Sequence, residues 1–333
     1  MNPRKPQEQE QVHFPVVDFH CDALSKMLEN PSIDFAADAR LDVTGERLRA
    51  GGLRMQCFAI YLSQKWGNPR FEHVLGQIEL YRSKVANTGG LRPLRWKEEA
   101  AGLADALGAG GPCWGMLSLE GADGLEGNLF YAELIFELGV RFLGLAWNYA
   151  NWAADGVLEK RNGGFTEKGR ELVEWCNESG MLLDVSHLSE AGFWELAELS
   201  KRPFIASHSN ARAICAHPRN LTDEQIRAVI SIEGRMGLTF VPWFVNDGKE
   251  AEPDDLLRHI EHICTLGGEK HLMFGSDFDG IDSWVKGLEH PGHYPALAEL
   301  LLRHYSEESV KGWLYGNAVS YLASNLPSRP KTE

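Results

Sequence analysis

Eight short apolar runs, several rich in β-branched residues, recur along the chain at 15–19, 55–62, 113–119, 140–146, 181–186, 203–207, 236–241 and 271–276. Runs of this length, bounded by polar or glycine residues, read as strands buried on both faces. Between most of them the apolar positions take a helical period. In 128–138 they fall at Leu129, Leu134, Ile135 and Leu138; in 166–179 they fall at Leu172, Val173 and Cys176, before Gly180 stops the helix. Thr222-Asp223-Glu224-Gln225 reads as a capping box, in which the Thr hydroxyl and the Gln side chain each satisfy an orphan backbone N–H. Pro253-Asp254-Asp255 opens another helix, which closes at Gly267-Gly268. The stretch 63–112 is long for one connection and predicts a helix pair over 72–86 and 97–107.

Alternating strands and helices imply parallel strands joined by crossovers. Eight such units predict an α/β fold of the closed (β/α)8 TIM-barrel type. An open doubly wound sheet is the alternative, but the chain has no G-x-G-x-x-G phosphate turn. No linker, low-complexity tract or repeat beyond the βα alternation divides the chain. One barrel domain is therefore expected over 13–325, between a disordered N-terminal tail, 1–12, and a C-terminal tail, 326–333.

Composition narrows the picture. The 333 residues could make one large barrel or two ordinary domains, and 44% apolar and 24% charged residues suit a soluble protein with a sizeable core. A net charge of −14 argues against a nucleic-acid groove. The six cysteines are scattered without a CxxC pair and read as reduced, mostly buried thiols. The polar 1–11, the lack of an 18-residue apolar run and the polar 327–333 predict no signal peptide, no transmembrane helix and no lipid anchor. A cytoplasmic protein without a membrane partner is expected.

Chemistry collects at the strand ends. Side chains alternate along a strand, so His20 and Asp22 project to one side and Cys21 to the other. Glu120 ends the third run in Leu117-Ser118-Leu119-Glu120-Gly121, where a buried carboxylate is costly unless paired or metal-bound. His187 and His208 end the fifth and sixth runs, and Asp277 follows the eighth. All six lie at predicted C-terminal strand ends, the rim where barrel enzymes place their sites. Imidazole and carboxylate without thiolate suit Zn2+, with Mn2+ or Co2+ as substitutes. The set is too large for one tetrahedral zinc with an open position, so two metals bridged by Glu120 fit better. This is the outline of a metal-dependent hydrolase. Asp277-Phe278-Asp279-Gly280 is not a calcium loop, since a third ligand and a distant Glu are missing. His259 and His262 share a helix and are expected to face solvent or a neighbouring helix. His290 and His293 are expected at the surface, and His217 near the site but not on the metal.

The strings FHCD, SLEGAD, LDVSHLSE, ASHSNARAICAHPRNLTDEQI and FGSDFDG resemble the membrane (renal) dipeptidase family of zinc peptidases, within the amidohydrolase-type barrels. The likeness runs from about Val16 to Leu322. It implies a metallo-dipeptidase that hydrolyses dipeptides with a free C-terminal carboxylate, using a bridging hydroxide between two Zn2+ per chain. By that resemblance His20 and Asp22 bind one zinc, His187 and His208 the other, and Glu120 bridges them. Asp277 is implied as the catalytic proton carrier. Arg219 is implied to hold the substrate carboxylate, for which its planar fork is suited. Family members carry a histidine after the fourth strand that helps to bind or polarise the scissile carbonyl; here Trp147 stands there, with Asn148 beside it. An indole N–H only donates, and Asn148 could donate in its place, so both are candidate substrate-binding residues. Two other readings stay open: a related metallohydrolase acting on N-acyl-amino acids or lactones, and a non-catalytic binding protein on the same barrel. Exposed helices would allow a homodimer.

Overall fold

Strand β1 (Val16–Asp18) lies between β2 (Leu53–Tyr61) and β8 (Leu272–Phe274), so the first and last strands meet. From β2 the ring continues through β3 (Trp114–Glu120), β4 (Val140–Gly144), β5 (Leu182–Asp184), β6 (Ile205–Ala206) and β7 (Arg235–Leu238) back to β8. Every pairing is parallel, and β2 with β3 closes the ring: a (β/α)8 barrel. The computed structural model describes residues 14–67, 69–105, 111–248 and 250–330. The N-terminal tail expected over 1–12 lies outside the described residues, as do 106–107 of the second predicted helix and 331–333.

Each strand falls on a predicted apolar run. Both faces of a barrel strand are covered, one by the interior and one by helices, so the whole strand must be apolar. The predicted helices form too. Asn128 caps Leu129–Glu137, Thr166 caps Glu167–Ser179, and the Thr222–Gln225 capping box opens Asp223–Ser231. In the long connection after β2, Phe71–Leu80 runs on into wider π-helical turns at Tyr81–Thr88. Arg92–Pro93 then pairs with the start of β3, and Lys97–Asp105 forms the second helix.

The two ends of the barrel differ. Ala318, Val319, Tyr321 and Leu322 of the helix Asn317–Asn325 pack into one cluster with Val17, Met55, Phe142, Ile205 and Met273 from the strands. The Tyr321 hydroxyl donates to the Pro203 carbonyl at 2.7 Å. This helix plugs the N-terminal mouth and leaves the C-terminal rim for polar side chains. Residues 326–330 run on against the helix Lys97–Asp105, where Lys97 N–H donates to Pro327 O at 2.9 Å and Arg329 pairs with Glu99 at 2.8 Å. The six cysteines are free of disulfides. Among the described residues no helix is long and apolar enough to cross a membrane.

Closure depends on close backbone approach. A Cβ on Gly237 or on Gly275 would lie 1.9 Å from the Ser207 carbonyl oxygen. Gly237→Ala and Gly275→Ala are each expected to destabilise the fold by at least about 1–3 kcal/mol through overpacking. Gly102→Ala, on a helix where the nearest atom is 3.4 Å away on Trp114, is expected to be neutral or slightly stabilising. Thermal unfolding of the three purified variants checks the contrast; equal midpoints would remove the steric account.

Candidate metal centre

Beyond the last ladder pairs the two ligand-bearing strings run side by side. Asp22 N–H donates to Phe278 O at 2.9 Å, Asp277 N–H to His20 O at 3.2 Å, and Cys21 bridges to Phe278. Two buried carboxylates hold these strand ends in place. Asp18 Oδ1 accepts from the N–H groups of His20 (3.1 Å) and Ser276 (3.0 Å), and its Oδ2 accepts from the Tyr294 hydroxyl at 2.9 Å. Asp184 Oδ1 accepts from the N–H groups of Ser186 (3.0 Å) and Ser207 (2.9 Å), and its Oδ2 accepts from the Ser207 hydroxyl. Asp18 thus joins β1 to β8 and Asp184 joins β5 to β6, each just before a histidine. Burial raises the Asp18 carboxyl above its usual range, against the bonds from Ser276, His20 and Tyr294. Neither aspartate emerged from the sequence. The available sign was position: Asp18-Phe19-His20 and Asp184-Val185-Ser186-His187 each set an acid at a strand end ahead of a ligand.

The six rim residues converge. His20 Nε2 lies 3.4 Å from Asp22 Oδ2, 3.7 Å from Glu120 Oε2 and 3.7 Å from Asp277 Oδ1. The other Glu120 oxygen, Oε1, lies 2.8 Å from His187 Nε2 and 3.6 Å from His208 Nε2. Glu120 therefore turns one oxygen to each group. Two ligand sets, His20–Glu120–His208 and His20–Asp22–Asp277, have donor atoms within 4.8 Å of one another and share His20. Side-chain exposure is 15% or less for His20, Asp22, Glu120, Asp277, His187 and His208. His187 (φ 72) and Asp277 (φ 69) adopt left-handed backbone, a strained conformation that collects at functional sites.

The hydrogen-bond network assigns the protons. His187 Nδ1 lies 2.8 Å from Asn148 Oδ1, which can only accept. His208 Nδ1 lies 2.7 Å from Ser207 Oγ, whose own proton is given to Asp184. Both rings therefore carry hydrogen on Nδ1 and turn an Nε2 lone pair inward. These two nitrogens are only 2.9 Å apart, beside a carboxylate oxygen, with no hydrogen between them. A proton is a poor solution, because burial, with Arg219 and His20 adding to it, holds both imidazoles well below their usual range. Burial also works against a charged His20, but Glu120, Asp22 and Asp277 outweigh it and raise that imidazole to about 10. Burial raises Glu120 well above the usual carboxyl range and pushes Asp277 up to about 7. His20 Nε2 and Asp22 Oδ1 are buried without a hydrogen-bond partner. Converging lone pairs and carboxylates, thiolate-free, are the donor set of a zinc-type divalent cation.

The remaining candidates sit around this cluster. Arg219 is 5% exposed; its Nη1 is 3.4 Å from Ser209 Oγ, its Nη2 is 3.3 Å from the His208 carbonyl, and its buried Nε has no partner. Burial lowers the guanidinium to about 10, against Asp277, Glu120 and Asp184. His217 accepts the Arg219 N–H at 3.2 Å and packs on Phe244, so it supports the arginine's loop. Trp147 is half-buried, its ring 5.2 Å from Tyr61 and 5.9 Å from His187. The amide oxygen of Asn148 accepts from His187, and its NH2 group remains a donor, as the sequence reading requires. Asp279 accepts the N–H groups of Asp42 (2.8 Å) and Val43 (2.9 Å) and pairs with Lys26, which pins the 38–44 segment. His259, expected to face solvent or a neighbouring helix, is fully buried and bonds the Val245 carbonyl at the end of the helix Pro242–Val245, with the Ala211 N–H donating to its other nitrogen. His262 pairs with Asp223 at 2.7 Å, and His290 stacks on His293 at 3.9 Å.

Cation binding to the folded state alone should add stability, by ~2.7 kcal/mol at a hundredfold excess over Kd. Dialysis against a chelator is expected to lower the melting temperature, and added Zn2+ to restore it. Ser207→Ala, which frees His208 Nδ1, is expected to weaken zinc affinity ~10–100-fold in competition with a chromogenic chelator. Unchanged affinity would mean that the Asp184–Ser207–His208 chain does not set the ring.

Comparison with known proteins places the chain in a family. Residues 6–324 match the model of the membrane dipeptidase family, peptidase family M19. An uncharacterized protein in the pqqA 5′ region of Klebsiella pneumoniae is 39% identical over 173 residues, 49% of this chain and 64% of that protein. Dipeptidase tcpJ of Claviceps purpurea is 32% identical over 216 residues, 64% of this chain and 51% of that protein. The chain thus spans about half to two thirds of the length of these curated relatives. Among solved structures, a metallopeptidase described as dipeptidase AC superposes with a TM-score of 0.85 at 30% identity, covering 95% of this chain and 100% of its own. A Rhodobacter sphaeroides metallopeptidase, liganded with a phosphinate mimic of the dipeptide L-Ala-D-Ala, gives a TM-score of 0.83 at 29% identity, covering 94% and 99%. With a family match across almost all of the chain and a converged rim of imidazoles and carboxylates, this protein belongs to the membrane dipeptidase family of peptidases.

Proposed function

We propose that the protein is a zinc-dependent dipeptidase that hydrolyses the peptide bond of dipeptides bearing a free C-terminal carboxylate. The observation that carries this reading is a buried guanidinium with an unpartnered edge, Arg219, set beside a cluster of metal-type donors. His20 and Asp22 would hold one cation, His187 and His208 the other, with Glu120 between them. Such cations, when bound, supply a Lewis acid for the scissile carbonyl and lower the pKa of a bound water toward about 7.

The chain's own groups account for the rest. Asp277 lies beside His20 with its carboxyl pushed up to about 7, chiefly by burial. A carboxyl in that range can take a proton from the attacking water and return it to the leaving amine. Arg219 spends Nη1 and Nη2 contacts on neutral oxygens and leaves its Nε–H without a partner, so its charge can pair with a substrate carboxylate. Fixing the substrate at that end would place its last peptide bond at the metal-type donors. The dipeptide mimic bound by the Rhodobacter sphaeroides relative supports a substrate of this size.

Asp277→Asn is expected to lower dipeptide turnover by ~10²–10⁴ with zinc content unchanged; a loss below about tenfold would remove the proton-carrier role. Arg219→Ala is expected to depress kcat/KM for a free dipeptide far more than for the same dipeptide amidated at its C-terminus. Equal losses on the two substrates would count against carboxylate recognition. Faster turnover of N-acetyl-amino acids than of any dipeptide by the wild-type protein would favour the deacylase reading instead.

A further inference from the structure

Two cavities of very different size adjoin different members of the candidate metal cluster. One, of about 360 Å³, adjoins His187 and Arg219 and is walled by Leu188, Phe193 and Leu221. The other, of about 30 Å³, adjoins Glu120 and is closed by Trp147, Tyr149 and Leu62. The first falls within the range of small-molecule sites, ~300–1,000 Å³. The second has room for one or two waters, given that a water needs roughly 10–15 Å³. A methyl group fits there and a ring does not.

Trp147 is the residue that makes the second cavity small, and it is poorly placed to yield. Its ring packs between Tyr61 at 5.2 Å and His187 at 5.9 Å, with Tyr149 at 6.4 Å. Its backbone is confined as well. A Cβ on Gly156 would lie 1.9 Å from the Trp147 carbonyl oxygen, so only glycine allows the two segments to approach this closely. The neighbouring Asn148 is bonded to His187. Moving the indole aside would therefore disturb a ligand ring.

We propose that the site is asymmetric in size, selecting dipeptides with a glycine or alanine at the N-terminal position and a bulky residue at the C-terminal position. The inference rests on the dipeptidase reading, in which Arg219 holds the C-terminal carboxylate. The C-terminal side chain leaves the same carbon as that carboxylate, so it lies on the Arg219 side and enters the larger cavity. The N-terminal residue lies across the scissile carbonyl, on the Glu120 side, against Trp147. Tyr149, 47% exposed, forms the outer edge of that slot. Leu188 and Phe193, both buried, form the floor of the larger cavity. Trp147 is thus a specificity-determining residue, acting by exclusion.

The test is steady-state kinetics on reversed pairs with zinc added: L-Ala-L-Phe and L-Ala-D-Phe against L-Phe-L-Ala and L-Phe-D-Ala. The expected result is kcat/KM at least ~10-fold higher for the better Ala-Phe isomer than for the better Phe-Ala isomer, the scale of discrimination that pocket size supplies. Trp147→Ala and Trp147→His are each expected to shrink that ratio by a factor of about ten, whatever happens to absolute rates; the ratio is insensitive to a general loss of folded protein. Equal wild-type rates on the reversed pairs, or an unchanged ratio in a folded Trp147 variant, would overturn the inference while leaving the dipeptidase reading intact. Failure of the zinc-loaded wild-type protein to cleave any of the four would sink the dipeptidase reading, and this inference with it.

Discussion

The structure is organised around a repulsion. Two imidazole lone pairs 2.9 Å apart, and carboxylates of Asp22, Glu120 and Asp277 around His20, are forced together where water is largely excluded. In a medium of low dielectric such a set opposes folding unless positive charge enters it. His20, raised to about 10 by the carboxylates around it, supplies one such charge, but burial holds His187 and His208 neutral, so their facing lone pairs stay uncompensated. The surrounding protein must hold the ligands against this repulsion, and much of the upper barrel is built to do so. Asp18 and Asp184 tie neighbouring strand ends through pairs of backbone N–H groups, and left-handed turns at His187 and Asp277 aim side chains that an extended strand would carry past the centre.

This division of labour explains what could be read from the chain and what could not. The eight strands were legible because a barrel strand is covered on both faces and so reads as an uninterrupted apolar run. Their ends were less so: β6 is two residues long, Ile205–Ala206, since Asp184 takes over from the ladder just beyond it. The six rim residues were legible because titratable groups at the ends of apolar runs have few structural excuses. The roles of Asp18, Asp184 and Ser207 stayed hidden because each depends on a partner brought from elsewhere in the chain (Ser276 and Tyr294 for Asp18, Ser207 for Asp184), and that register is not written locally. Of the two settings expected for His259, the neighbouring helix is the one found, at Val245, while its second partner was not foreseeable. Helical period tells that two residues share a face, but not that the Ala211 loop folds over it.

The two ends of the barrel carry opposite burdens. At the N-terminal mouth the helix Asn317–Asn325 inserts apolar side chains among those of the strands, so closure there gains from burial. At the C-terminal mouth closure brings donors and charges together and costs stability. Close backbone packing at Gly237 and Gly275 keeps the cylinder narrow in between, so a displacement at the rim has little freedom to be absorbed lower down. A rigid, apolar lower half thereby supports a strained polar upper half.

The segment after β4 joins a candidate metal ligand, His187, to the small cavity beside Glu120. Asn148 holds the outward nitrogen of His187, which fixes the tautomer and the direction of its inward lone pair. Trp147, the preceding residue, packs its ring on the same imidazole and narrows the space beside Glu120. Adjacent residues on one constrained backbone cannot move independently, so the Trp147 wall beside Glu120 and the Asn148 support of the His187 ring form one mechanical unit. A side chain too large for the slot would press on Trp147, and through Asn148 on His187. Under the proposed selectivity, exclusion at this position would act on the geometry of the candidate metal centre as well as on the space available for binding.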